Sequence, residues 1–130
     1  MKGLLVVMGV LMAARLIAGS VSADAVGGDR PTFTKGKFVV PVSRDDVERD
    51  WTARGYFGPS VKSYPQGWSR GEHTHPESLI MTVITGRMEF LFAGQRFVVE
   101  PGDELLYPAH TVHSAKNLYD GATQMMSSTR

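Results

Sequence analysis

From position 56 onward the chain is a series of short apolar stretches cut by turn residues, a rhythm that suits strands and not helices. The expected strands are residues 56–63, 79–85, 87–92, 95–100, 104–107, 112–115 and 122–127. Between them lie Pro65-Gln66-Gly67, Gly86, Ala93-Gly94, Pro101-Gly102-Asp103, Pro108-Ala109-His110 and Asp120-Gly121, all turn-forming compositions. Residues 79–85 are apolar on both faces, which predicts a strand buried on both sides. Residues 87–92 alternate instead: Met88, Phe90 and Phe92 share one face, while Arg87 and Glu89 share the other with Leu91. Strands of this length and spacing predict an all-β antiparallel sandwich or barrel.

Ahead of position 56 the period changes. Residues 38–42 read as a strand, with Pro41 suited to a sheet edge. Ser43-Arg44-Asp45-Asp46 reads as a helix start, with Ser43 capping, Asp46 reaching back and both acids at the positive end of the helix dipole. That helix is expected to run to about Arg54, stop at Gly55 and dock through Val47 and Trp51, which lie four apart on one face. Residues 26–37, rich in Gly, Thr, Pro and charge, read as a flexible lead-in.

At 130 residues there is room for one domain. Residues 1–25 read as a signal peptide: Lys2 in the charged start, an apolar run over residues 3–14, and small residues at A-x-A-like spacing over residues 21–25, with the cut after Ala23 or Ala25. The division is then 1–25 signal, 26–55 lead-in strand and helix, and 56–130 β-barrel, with the product periplasmic or secreted and free of membrane after cleavage. Formal charge is +1 for the full sequence and zero once residues 1–25 are removed, with charges dispersed. No basic stripe accompanies the aromatics, so a nucleic-acid partner is not expected. Cysteine is absent, which excludes disulfides, thiolate metal sites and a cysteine nucleophile. No G-x-S-x-G elbow, phosphate loop or paired catalytic carboxylates appear.

The candidate chemistry lies in the histidines. His73 and His75, one residue apart, point to the same side if they sit on a strand, and His113 follows about forty residues later. A barrel that brings the three imidazoles together offers a site for a divalent transition metal. Glu77 shares their parity and is a candidate fourth ligand, although Pro76 disturbs the strand there. His110 reads as a structural turn residue and Asn117 as the cap of a turn. Met81, Met88, Phe90, Phe92 and Tyr107 read as core or pocket lining, whereas Trp68 and Arg70 fall in what reads as a surface loop or rim.

These residues carry a resemblance. Gly67, five residues, His73, one residue, His75 and later Gly86 resemble the first motif of the cupin superfamily; Gly102, five residues, Pro108, then His113 and Asn117 resemble the second. The likeness covers roughly residue 56 to the C-terminus, and the preceding segment is similar to that of small single-domain bacterial cupins. It implies a cupin-type double-stranded β-helix, or jelly-roll barrel, homodimeric in many members, with a metal (Fe, Mn, Zn or Ni) in its mouth and a small-molecule substrate. Two positions depart from it: Leu79 stands where the family usually has a glutamate ligand, and His110 where it usually has glycine. Three-histidine cupins include iron-dependent dioxygenases. The expectation is an exported three-histidine metal cupin, dioxygenase-like or a related metalloenzyme; the alternative is a non-enzymatic ligand-binding cupin, metal-free or not.

Overall fold

The computed structural model describes residues 30–130. The expected signal segment, residues 1–25, lies outside the described residues, as does the start of the lead-in. Nine strands and one helix follow: β1 (Thr32–Thr34), α1 (Arg44–Ala53), β2 (Phe57–Tyr64), β3 (Ser69–His73), β4 (Leu79–Thr85), β5 (Met88–Phe92), β6 (Gln95–Val99), β7 (Glu104–Tyr107), β8 (His113–Asn117) and β9 (Thr123–Thr129). They form two antiparallel sheets, a five-stranded one in the order β1-β7-β4-β9-β2 and a four-stranded one in the order β3-β8-β5-β6.

The double-sided apolar pattern of β4 has a direct cause. β4 lies at the centre of the five-stranded sheet, between β7 and β9. Its Met81 and Val83 join Leu105, Met125, Met88 and Phe90 in the core between the sheets. Its Ile80 faces the other way, into a second cluster with Val47, Trp51, Tyr56 and Met126. That second cluster is the underside of α1, and Trp51 is fully buried there. Among the described residues nothing covers the four-stranded sheet in this way: Met88, Phe90 and Phe92 are buried while Glu89 pairs with Arg96 on the outer side and Leu91 is exposed.

The helix begins as expected, with the Ser43 side chain accepting from the Asp46 N–H at 3.2 Å, a cap of about 1 kcal/mol. Asp46 does not reach back to complete a capping box; its carboxylate pairs with Arg49, one turn on. Gly55 closes the helix with its N–H on the Thr52 carbonyl. The strand expected at 38–42 is absent. Val39 is 85% exposed, and Phe38 makes one backbone bond, to the Gly102 carbonyl. The edge position goes instead to Thr32–Thr34, within the segment expected to be a flexible lead-in. Asp103 explains the exchange: its carboxylate accepts from the Gly36 N–H and Lys35 Nζ, turning the chain away from the sheet just after β1. Pro41 has no N–H with which to extend a ladder.

Two glycines hold these layers close. A Cβ on Gly86 would meet the Thr123 backbone at 2.7 Å, and one on Gly102 would meet the Phe38 carbonyl at 2.5 Å. Both also have positive φ, 104° and 87°, so any side chain there is strained as well as crowded.

Candidate metal centre

His73 ends β3 and His113 begins β8, and they face each other as register partners in the antiparallel pair. His75 lies beyond the strand, in the loop leading to β4, so shared strand parity is not what places it. Its position comes from a backbone tie: the His110 N–H donates to the His75 carbonyl at 2.7 Å. His110 can do this because it takes positive φ (62°), the turn geometry that histidine tolerates and β-branched residues do not. One ring nitrogen from each of His73, His75 and His113 lies within 4.8 Å of the others, close enough to share one ion.

The tautomers suit that task. His73 Nδ1 lies 2.7 Å from the Gly71 carbonyl and His113 Nδ1 lies 3.0 Å from the Thr111 carbonyl. A carbonyl only accepts, so both Nδ1 atoms carry the proton and both Nε2 atoms keep a lone pair. Burial holds the His113 imidazole neutral, lowering its pKa from 6.5 to about 4 against the opposing pull of the Thr111 carbonyl. Burial lowers His75 too, helped by His73. Neutral imidazoles are the metal-binding form. The donor set therefore fits a divalent transition ion.

Glu77, the candidate fourth ligand, is exposed and is not part of the three-histidine group. Leu79 faces the site from β4. Asn117 is structural: its amide donates to the carbonyls of Tyr64, Pro65 and Gly121, and its oxygen accepts from Tyr119 N–H and Thr123 Oγ1.

The histidines open into a cavity of about 250 Å³ between the sheets. Its floor is Met81, Met88, Phe90 and Met125, with Tyr107 beside His113. The Tyr107 hydroxyl lies 3.2 Å from His113 Nε2, and since that nitrogen is unprotonated the hydroxyl donates. Trp68 and Arg70 line the cavity, rather than a surface loop. The reason is a β-bulge. Between Arg70 and His73 the strand advances three residues while β8 advances two, from Ala115 to His113. The extra residue restores Arg70 to the inward face, which simple alternation would deny it. A bulge leaves no mark in a period-two pattern, so the sequence placed Arg70 no further in than a rim or a surface loop.

The family model described as a cupin domain matches residues 60–129, more than half of the chain. The chain belongs to the cupin family. The motif residues Gly86 and Gly102 are the crowded glycines described above, and His73, His75 and His113 form the three-histidine cluster. Among solved structures, the DMSP lyase DddQ from Ruegeria pomeroyi is 27% identical over 55% of this chain and 36% of its own, with a TM-score of 0.50. A Cupin 2 conserved barrel domain protein from Salinispora arenicola is 32% identical over 55% of this chain and 60% of its own, with a TM-score of 0.49. A predicted oxalate decarboxylase from Thermotoga maritima is 20% identical over 62% of this chain and 71% of its own, with a TM-score of 0.51. The cupin chain thus spans less than two thirds of the first two. No curated protein matches the sequence.

Proposed function

We propose that this cupin is an exported metalloprotein in which His73, His75 and His113 hold one divalent transition ion and present it to a small organic molecule in the cavity, as a dioxygenase-like or related metalloenzyme. The observation that carries the reading is the convergence of three ring nitrogens, two of them with their Nδ1 protons already committed to backbone carbonyls. An ion there would supply Lewis acidity or, if redox-active, electrons. The chain's own residues supply the rest: the methionines and Phe90 exclude water from the floor, and Tyr107 holds a proton beside His113. Likeness to a lyase at 27% identity supports catalysis by a domain of this kind without selecting a reaction. A homodimer and a periplasmic or secreted location belong to the same proposal, on the strength of the cupin motifs and the N-terminal sequence.

One observation favours the alternative, a ligand-binding cupin that works without metal. The Tyr107 hydroxyl satisfies the buried His113 nitrogen by itself, and no buried side-chain polar atom among the described residues lacks a partner. Leu79 in place of an anionic ligand points the same way. Metal analysis of protein purified without chelator, beside a His73→Ala/His113→Ala control, decides between them. About one ion per chain, lost in the control, is the expected result. Well below one in every preparation overturns the metal reading.

A further inference from the structure

The rim of the cavity is positively charged from two sides. Lys62 reaches it from β2 of the five-stranded sheet and Arg70 from β3 of the four-stranded sheet, and no carboxylate among the described residues lines it. Neither cation has an ion-pair partner among the described residues, whereas Arg54 and Arg96 on the outer faces are engaged by Glu104 and Glu89. Glu77, the nearest acidic residue along the chain to the histidine pair on its C-terminal side, is exposed and outside the lining. The same cavity is lined by the apolar side chains of Leu79, Met81, Met88, Phe90 and Met125.

We propose that the cavity selects a small monocarboxylate with a compact apolar or aromatic body. Its carboxylate is drawn to Arg70 and Lys62, and its body lies on the methionine and phenylalanine floor. The charge balance argues for this class. Three neutral imidazoles leave the charge of a bound ion uncompensated, Leu79 contributes none, and two free cations stand at the entrance, so the missing negative charge comes from the ligand. A bidentate guanidinium matches a planar carboxylate. The thioether and aromatic floor has few polar atoms with which to hold a phosphate or a sugar. A cavity of about 250 Å³ sets the size, below the usual range for drug-sized ligands. The inference rests on the metal reading for one of its three positive centres and on Lys62 and Arg70 for the other two.

Titrating benzoate, its neutral counterpart benzamide, and inorganic phosphate into the zinc-loaded chain tests it. Trp68 lines the cavity and reports binding by its emission, while Trp51, the other tryptophan of the chain, is buried under α1 and gives a constant background. Benzoate is expected to bind about tenfold or more tighter than benzamide, with an affinity that falls as salt is added. The double variant Lys62→Gln/Arg70→Gln is expected to abolish the preference, so that benzoate and benzamide bind it with similar affinity while it still holds about one zinc per chain. Both side chains are exposed, so the fold is not at risk. Equal wild-type affinities, an unaffected double variant, or phosphate binding tighter than benzoate each overturn the proposal. Zinc is measured on the same samples. Protein without zinc that still prefers benzoate through the two cations upholds the carboxylate selection while failing the metal reading. Zinc-loaded protein without the preference fails the carboxylate selection alone.

Discussion

Strand β7 carries a polar cluster on each side of its sheet, and the two clusters are built to opposite ends. Outward, Glu104 is almost fully buried and wholly engaged: Trp51 Nε1 donates to it at 2.9 Å, and Arg54 grips both oxygens at 2.8 and 2.9 Å. Asp50 takes a further bond from the same guanidinium. Nothing is left over for a ligand. Inward, beside Tyr107, the imidazoles of His73 and His75 face open cavity, and His113 holds Nε2 on a hydroxyl that an incoming ligand can displace. A saturated cluster between a helix and a sheet fastens; an unsaturated cluster at the mouth of a cavity binds. Burial and charge alone do not separate the two cases, but the count of uncommitted donor and acceptor positions does.

The sharpest break in this comparison is expected on the outer side. Glu104→Ala leaves the buried Trp51 N–H without an acceptor and Arg54 with Asp50 alone, and about 3 kcal/mol of stability should be lost in urea unfolding. Zinc affinity of the fraction that stays folded should be unchanged. On the inner side the effects reverse. His113→Ala should lower zinc affinity by at least the roughly 10–100-fold that loss of a supporting residue alone produces. Its metal-free stability should fall by less than that of Glu104→Ala, both read by the same urea titration.

Acid should separate the clusters next. His113 is held neutral in the fold, with its pKa at about 4 against 6.5 when unfolded, so between those values the unfolded chain binds the extra proton. Metal-free stability is therefore full above pH 6.5 and is lost as pH falls from 6.5 towards 4, by on the order of 3 kcal/mol. A His113→Gln variant should flatten that limb of the pH profile; an unchanged slope would place the titration elsewhere. The smallest expected effect is that of Tyr107→Phe. It removes a hydrogen bond that only the metal-free form makes, so that form should lose about 1 kcal/mol. Apparent zinc affinity should then rise by up to about fivefold in a competition titration. A fall instead would show that the hydroxyl supports the loaded site.

Much of the fold could be read without coordinates because it depends on local rules. Alternation in 87–92 assigned Met88, Phe90 and Phe92 to the core, the double-sided run at 79–85 announced a covered sheet, and Ser43, Val47, Trp51 and Gly55 marked the helix and its buried face. The histidines were legible as a set because their types and the flanking glycines are read along the chain. What went astray did so where a distant group intervened. Residues 38–42 have the composition of a strand, but Asp103, more than sixty residues away, captures Lys35 and Gly36 and gives the edge to Thr32–Thr34. His75 was placed by strand parity, yet the backbone of His110 holds it in a loop.

The chain by itself determined which residues are apolar, where it turns and which side chains can ligate, since these follow from covalent structure and short-range sterics. Only the tertiary structure decided that a bulge in β3 turns Arg70 inward to share the cavity with Lys62, and that Glu104 is spent on Arg54 and Trp51 while the imidazoles stay open. Those outcomes depend on register between strands and on which surfaces are left after packing. Neither quantity exists until remote segments meet.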